Sequence, residues 1–257
     1  MRVRFLGTGT SFGVPVVGCD CPACRSDDAR DRRTRHGLLI ESGGARLLVD
    51  TPPELRLQLL RAGVGRIDAV FLSHEHADHT HGIDDLRIFS LRGGAPIPLH
   101  VAREFEPAIR RRFSYIWGGG RTQPGSAVPQ LDLTPFEDRE VIAPAGLELQ
   151  VVALPHGVYR SYGFRLGDLG VLIDAKSVPD DAMEIFAGVD VLIMNALWFG
   201  DPHPGHFSME EAAATARQLG AARTYLTHIA HRTTHAEIAR RLPSGVEPAF
   251  DGLVVEL

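Results

Sequence analysis

Four potential metal ligands stand within six residues, directly after a short apolar run. The run, residues 69–72, is typical of a buried strand, and His74, His76, Asp78 and His79 follow it. Imidazole and carboxylate groups are the ligands that zinc and similar transition metals prefer. Side chains two positions apart project the same way from an extended chain, whereas a turn can direct the last two elsewhere. The motif therefore predicts a metal site at a strand end, with a second metal position beside the first.

A histidine-rich surface loop is the alternative interpretation of this motif. A lone histidine is more often structural or solvated than a ligand, but three histidines and an aspartate at this spacing favour metal binding. The zinc-protease pattern H-E-x-x-H does not occur here, because His74-Glu75-His76 has the wrong spacing. Helix-borne zinc-protease chemistry is therefore disfavoured.

Length and charge narrow the class of protein. The chain has 257 residues, of which 44% are hydrophobic, enough for one substantial core. Its net charge of −5 argues against a general nucleic-acid binder, which is usually basic. No apolar stretch approaches the roughly 20 residues of a membrane span. The first residues enter a strand pattern without a signal-peptide core, so we expect a cytoplasmic protein with no membrane partner.

Strand-like and helix-like runs alternate through both halves of the chain. This order predicts a single α/β domain over residues 1–257, with two packed sheets and helices outside. One helix start is well marked, because Ser208 and Glu211 form the Ser-x-x-Glu pattern of a capping box. The cap would hold the chain in place just after His206.

Residues 114–146 are the least regular part of the sequence and follow a helix-like run at 104–113; we interpret the region 104–146 as a possible lid or substrate loop. Glycines at 118–120 and four prolines favour a loop there. Within this region, Phe113, Tyr115 and Trp117 alternate as in a strand with one aromatic face. That face would line a substrate pocket or cover the core. The arginines at 110–112 would contact a phosphate or, as the sequence favours, form a solvated helix face.

All three cysteines, Cys19, Cys21 and Cys24, lie within six residues. An odd number so close together is a poor disulfide framework. In a reducing compartment a metal knuckle is favoured over three free thiols. Three thiolates need one distant fourth ligand to complete a tetrahedral zinc site.

Four further candidate ligands stand where apolar strands end. Asp50, His156, Asp174 and His228 each follow such a run. Each alone could be a capping or turn residue. Four strands that all end in histidine or aspartate are harder to explain that way, because sites are built at strand ends in layered α/β folds.

The ordered series of these residues resembles the metallo-β-lactamase superfamily, and the match runs over nearly the whole chain. The resemblance implies a four-layer αββα sandwich with a binuclear metal site along one edge of the two sheets. It also implies that Asp50 does not bind a metal itself but contacts a ligand histidine and fixes its orientation. The implied ligands are His74, His76 and His156 for one metal, Asp78, His79 and His228 for the other, and Asp174 as the bridge.

A narrower resemblance comes from the motifs at residues 7–15 and 18–24. Together they resemble the phosphoribosyl cyclic phosphate phosphodiesterases, in which three cysteines and a histidine hold a structural zinc. The resemblance implies that His231 is the fourth ligand of the cysteine cluster. It also implies that His206 is an additional active-site histidine, and the related phosphodiesterases suggest a homodimer.

The expected reaction is hydrolysis of a cyclic or small phosphodiester, such as a phosphoribosyl 1,2-cyclic phosphate, by hydroxide activated at two divalent metals, zinc or manganese. Asp78 would hold a metal and orient the nucleophile, and His206 would stabilise phosphoryl charge or assist the departing alkoxide. Two alternatives remain open. One is a tRNA 3′-processing endoribonuclease, and the other is a non-catalytic binding protein like the pyrroloquinoline quinone biosynthesis member of the fold.

Overall fold

Fourteen strands and eight α-helices form the part of the chain that the computed structural model describes, residues 1–118 and 127–257. The strands are β1 (Arg2–Gly7), β2 (Gly37–Ser42), β3 (Ala45–Val49), β4 (Ala69–Phe71), β5 (Ile97–Ala102), β6 (Leu131–Phe136), β7 (Val141–Ile142), β8 (Leu149–His156), β9 (Tyr159–Leu166), β10 (Leu169–Leu172), β11 (Val191–Asn195), β12 (Arg223–Thr227), β13 (Val246–Pro248) and β14 (Val254–Glu256). The helices are α1 (Leu55–Ala62), α2 (Ala77–Thr80), α3 (Arg87–Gly93), α4 (Glu106–Arg112), α5 (Ser114–Trp117), α6 (Met183–Phe186), α7 (Met209–Leu219) and α8 (His235–Arg241).

The strands form two seven-stranded mixed sheets. The first has the order β14-β1-β2-β3-β4-β5-β6, and the second has the order β13-β12-β11-β10-β9-β8-β7. The apolar core lies between them, where Phe71 of the first sheet stacks on Phe136 at 5.3 Å and meets Phe164 of the second edge-on at 5.0 Å. A second apolar cluster packs α7 against the outer face of the second sheet. The predicted αββα arrangement is confirmed.

Parallel strands bring the polar strand ends to one edge. β3 runs parallel to β4, and β10, β11 and β12 run parallel to one another. The carboxyl ends of parallel neighbours lie side by side, so residues that directly follow them become neighbours in space. Asp50 and Ser73 follow the first pair, while Asp174, Asn195 and His228 stand at or just beyond the ends of the other three.

The prediction that residues 114–146 lack regular structure is wrong over part of their described length, whereas the helix predicted at 104–113 is present as α4. Residues 131–136 form β6, at the edge of the first sheet, and its Pro135 is tolerated because an edge strand does not need every backbone N–H. The aromatic residues 113–117 do not form a strand, because residues 114–117 are the helix α5. Gly119, Gly120 and Pro124, which contributed to the loop prediction, lie outside the described residues.

Within the described residues, no helix combines the length and the apolar character needed to cross a membrane.

Candidate metal centre

The predicted ligands meet at the edge where the two sheets end. In each of several groups, one donor atom per residue lies within 4.8 Å of the others in that group. One group is His74, His76 and His156. A second group matches the other predicted metal position. Its members are Asp78, His79 and His228.

Asp174 lies between these two groups. Its Oδ2 is 3.6 Å from Nε2 of His74 and 3.3 Å from Nε2 of His79. Its Oδ1 is 3.2 Å from Nε2 of His228. Its side chain is almost fully buried, at 3% exposed. Because Oδ2 lies between His74 of the first group and His79 of the second, this carboxylate is placed to bridge two cations.

Three residues at or beside the candidate site have an unusual backbone conformation. Asp50, Asp174 and His228 have positive φ angles of 64°, 51° and 56°. Aspartate and histidine are among the few non-glycine types enriched in this left-handed region, and the conformation is costly for most others. It turns the chain sharply where each strand ends. Local strain is thus concentrated at the candidate site, as often occurs where function requires a fixed geometry.

A carboxylate behind the site orients two of the ligand histidines. Asp50 Oδ2 lies 2.7 Å from His79 Nδ1 and accepts a hydrogen bond of 2.8 Å from Ser73 Oγ. Ser73 Oγ in turn lies 3.0 Å from His74 Nδ1. Because the Ser73 hydroxyl donates its hydrogen to Asp50, the Ser73 oxygen accepts a hydrogen bond from the Nδ1–H of His74. Both imidazoles then direct an unprotonated Nε2 into the site, which is the tautomer that metal binding requires.

Replacing Asp50 with asparagine is expected to weaken active-site metal binding by about 10–100-fold. The carboxylate accepts from His79 and the Ser73 hydroxyl at Oδ2 and from the Ser73 backbone N–H at Oδ1, and an amide would turn its NH2 group toward one of these sets of donors. Competition with a chromogenic chelator measures this affinity. Glu41→Gln, a carboxylate change on the same sheet, should leave it unchanged. An Asp50→Asn affinity equal to wild type would show that Asp50 does not orient the ligands.

His156 and His206 are held by groups from the second half of the chain. His156 Nδ1 donates to the Gly205 carbonyl at 2.7 Å. His206 Nδ1 lies 3.4 Å from Asn195 Nδ2 and 3.9 Å from Asp174 Oδ1. The predicted capping box of α7 is present, and the N–H of Phe207 donates to the Ala175 carbonyl at 2.9 Å. These bonds place His206 beside Asp174.

The residues present fit divalent cations. Among the described residues, Nε2 of His74, His79 and His228 and Oδ1 of Asp174 are buried without a hydrogen-bond partner. Buried polar atoms are rarely left in this state, and metal coordination would satisfy all four. Burial alone would lower the pKa of His79, but Asp78, Asp174 and Asp50 raise it well above its usual range. The surrounding carboxylates therefore favour a positive charge at this point.

Burial favours the neutral form of the His206 imidazole. Burial lowers the pKa of His206 to about 3, against the opposing charge of Asp174. Of the two roles predicted for His206, stabilising phosphoryl charge is the one that a neutral imidazole fits. A neutral imidazole can still donate one hydrogen bond to an anionic oxygen.

The cysteine knuckle closes around the predicted histidine. His231 Nδ1 lies 3.2 Å from Sγ of Cys19, 3.4 Å from Sγ of Cys21 and 3.6 Å from Sγ of Cys24. Burial opposes ionisation of Cys21, yet the Cys24 backbone N–H and the His231 imidazole help lower its pKa to about 6. Three thiol sulfurs and one imidazole nitrogen converge here, which suits a tetrahedral zinc ion. Such a site would leave no open coordination position.

The candidate centre opens into a cavity of about 560 Å³. Its described lining includes His76, His156, Asp174 and His206, and it contains none of the arginines at 110–112. Arg110 pairs with Glu106 on its own helix, whereas Arg112 contacts Glu75 within the histidine motif, so both guanidinium groups are paired with carboxylates. Phe113 is buried in the core and Tyr115 donates to Asp84, so neither lines the described cavity.

Several residues of the site escaped the sequence prediction. Asn195 ends an apolar strand, which is the same signal that identifies Asp174, but the prediction covers only histidine and aspartate at strand ends. The position of Ser73 directly before the histidine motif is the sequence signal for this residue. Gly205 acts through its carbonyl, and Tyr159 lies at a strand start, so neither carries a sequence signal.

Known proteins share this fold and much of this sequence. A family model described as a beta-lactamase superfamily domain matches residues 45–229. The crystal structure of a new diphosphatase from the PhnP family is 38% identical with a TM-score of 0.91, over 100% of this chain and 97% of that one. An octanoyltransferase of Porphyromonas gingivalis is 35% identical over 98% of this chain but 51% of its own length. A Bradyrhizobium ribonuclease Z is 32% identical over 51% of this chain and 44% of its own.

The chain spans about half the length of these two curated relatives. The PhnP-family structure, in contrast, matches from end to end. The family match also implies binding of divalent metal ions, in agreement with the clustered donors. The predicted resemblance is therefore confirmed, and this chain belongs to the beta-lactamase superfamily and, within it, to the PhnP family.

Proposed function

We propose that this protein is a metal-dependent hydrolase of small phosphodiesters, with a cyclic ester such as a phosphoribosyl 1,2-cyclic phosphate as a candidate substrate. One observation carries the proposal. Asp174 stands between two groups of candidate ligands, an arrangement that supports two cations rather than one. Paired cations suit in-line displacement at phosphorus, because they stabilise both the attacking and the leaving oxygen.

The chain would hold two active-site metals, zinc or manganese, and one structural zinc. The His74 group would hold one active-site metal, the Asp78 group the other, and Asp174 would bridge them. When bound, such metals lower the pKa of water and neutralise phosphoryl charge. His/Asp ligand sets accept several metals, so availability selects among them.

The chain's own side chains position the reactants. Asp78 Oδ2 lies 3.4 Å from His79 Nε2 and 3.7 Å from His228 Nε2, and its side chain is 13% exposed. It therefore reaches both the ligand group and the cavity, where it would orient a nucleophilic water. His206 lines the same cavity beside Asp174, where a neutral imidazole would donate a hydrogen bond to a phosphoryl oxygen.

Turnover of bis(p-nitrophenyl) phosphate by the protein loaded with zinc or manganese tests this function. Release of p-nitrophenolate that depends on the metal and is lost in a chelator would support it. A sample with full metal content and no turnover of this ester, or of a cyclic phosphodiester, would favour the non-catalytic binding protein.

Replacing His206 with alanine is expected to lower kcat by about 10–100-fold while metal content stays near wild type. The expectation follows because the imidazole would contribute one hydrogen bond to phosphoryl charge, while the two ligand groups stay complete. Elemental analysis and steady-state kinetics on the same samples measure both effects. His81→Ala, which removes an exposed histidine near the motif, serves as the control. Loss of a metal from His206→Ala would instead identify His206 as a ligand.

A further inference from the structure

We propose that Arg112 is a positioning residue for the candidate metal centre. Its guanidinium group fixes the backbone on both sides of His76 and so directs that imidazole into the site. The proposal concerns metal binding and does not depend on which ester the protein hydrolyses. It starts from His76, whose ring is held differently from the other two histidines of its ligand group.

The ring of His76 lacks the hydrogen bonds that orient its neighbours. The ring of His74 lies 3.0 Å from Ser73 Oγ, and the ring of His156 donates to the Gly205 carbonyl at 2.7 Å. Among the described residues, no group forms a hydrogen bond with the His76 ring. The direction of this imidazole therefore depends on its backbone and on packing against neighbouring rings.

One guanidinium group holds the backbone of His76 on both sides. Arg112 Nη1 donates to the Glu75 carbonyl, which belongs to the peptide group before the His76 α-carbon. The same Nη1 donates at 3.4 Å to Thr80 Oγ1, which itself donates at 2.9 Å to the His76 carbonyl. That carbonyl belongs to the peptide group after the α-carbon. Because a residue has only two soft backbone dihedrals, fixing both flanking peptide groups fixes the direction of its side chain.

In the described part of the chain, no other group donates to the Glu75 carbonyl. The short helix α2 begins just after His76 without a side-chain cap. Arg112 Nη2 also forms an ion pair with Glu75 Oε2 at 3.3 Å, but both side chains are about one-third exposed, at 35% and 33%. Exposed ion pairs contribute little to stability. The contact with the backbone carbonyl therefore carries the positioning role.

The main core anchors the helix end that carries Arg112. Arg112 is the last residue of α4, and Phe113 follows it. Phe113 and Ile109 are both buried in the core between the sheets, and the Phe113 N–H donates to the Ile109 carbonyl at 3.0 Å. The guanidinium group therefore extends from a fixed point toward the histidine motif.

Arg112 acts from outside the reactive cavity, because it is not among the residues that line it. Its positive charge gives the proposal a sign that can be measured. Like charges repel, so removing this charge would by Coulomb forces alone tighten the binding of a cation nearby. Loss of positioning would instead weaken it.

Four variants test the proposal. Arg112→Met removes the donors and the charge but keeps an unbranched side chain, and Thr80→Val removes the second link while keeping its shape. Arg111→Met is the matched control, because Arg111 is exposed, carries the same charge and precedes Arg112 on the same helix. Glu75→Gln, the second control, breaks the ion pair but leaves the carbonyl in place.

Cobalt(II) is the probe metal. Titration followed by visible absorption, in competition with a chromogenic chelator, gives the affinity of each active-site position. Thermal unfolding of the metal-free chains, followed by circular dichroism, reports any general loss of stability.

Groups that orient metal ligands typically contribute about 10–100-fold to metal affinity. Because Arg112 acts through the backbone, we expect the lower end of this range, about tenfold weaker binding of one cobalt ion in Arg112→Met. Loss of one hydrogen bond in Thr80→Val should weaken the same position by about threefold. The second ion in these variants, and both ions in the two controls, should stay within about twofold of wild type. Metal-free Arg112→Met should unfold at the temperature of Arg111→Met.

Unchanged or tighter cobalt binding in Arg112→Met would overturn the proposal, because the charge alone would then account for the effect of this residue. Equal weakening of both ions would also overturn it, since His76 belongs to one ligand group only. If Arg112→Met does not fold, Thr80→Val decides, and wild-type affinity in that variant would overturn the proposal. None of these measurements needs turnover, so failure of the proposed phosphodiesterase function would give a different result, namely cobalt binding without hydrolysis.

Discussion

Asp174→Asn is expected to reduce hydrolysis of a phosphodiester by about a thousandfold and to lower the active-site metal content from two ions to one or fewer. An amide presents only one oxygen, whereas the carboxylate directs one oxygen to His74 and His79 and the other to His228. Removing one preorganised electrostatic group from a buried active site commonly lowers the catalytic rate by about 10²–10³-fold, even when no metal is lost.

Asparagine is the informative replacement because it keeps the side-chain shape and tolerates the left-handed backbone found at this position. Elemental analysis and initial rates on one preparation give the two quantities. Asp168→Asn, an exposed change at the other end of the same strand, is the control. Two retained metals with more than a tenth of wild-type activity would exclude a bridging role.

Cys21→Ser and His231→Ala are each expected to cost one zinc per chain and about 4 kcal/mol of unfolding free energy in a preparation where zinc exceeds its Kd about a thousandfold. The zinc would join the N-terminal knuckle to the segment after β12. Backbone contact between these segments is otherwise slight, with one bond of 2.8 Å from the Ile229 N–H to the Thr8 carbonyl. Urea unfolding with elemental analysis measures both effects.

A double-mutant cycle separates a shared ion from two independent packing defects. If Cys21 and His231 bind the same zinc, the double variant should be about as stable as either single variant, because the ion is lost only once. Full additivity, or unchanged zinc content in either single variant, would show that these residues do not share a metal. His228 lies three residues before His231, so any loss of turnover would indicate that the knuckle helps to position a ligand.

The sequence was informative where polar residues interrupt an apolar pattern. A histidine or aspartate directly after a buried run, as at His74 or Asp174, has no packing reason to be there and so indicates a site. The same reasoning fails at β6, because Pro135 favours a loop in the sequence but lies within the strand. Proline excludes a central strand only, and the sequence does not show which strands lie at an edge.

The groups that surround the ligands could not be predicted in the same way. The Gly205 carbonyl holds His156 through its backbone, which is common to all residues. The link from Asp50 through Ser73 to His74 depends on β3 and β4 being neighbours in the sheet. The neutral state of His206 depends on burial, which no local pattern reveals.

By itself, the sequence determined the donor types, the strand ends that carry them and the family to which they belong, because ligand chemistry and strand periodicity are local properties. Only the tertiary structure decided that Asp174 stands between two ligand groups and that Tyr159 faces the cavity beside His76. Those relations join residues far apart in the sequence, such as His74 with Asp174 and His76 with Tyr159. They depend on strand order and on the packing of two sheets, which place distant strand ends at one edge.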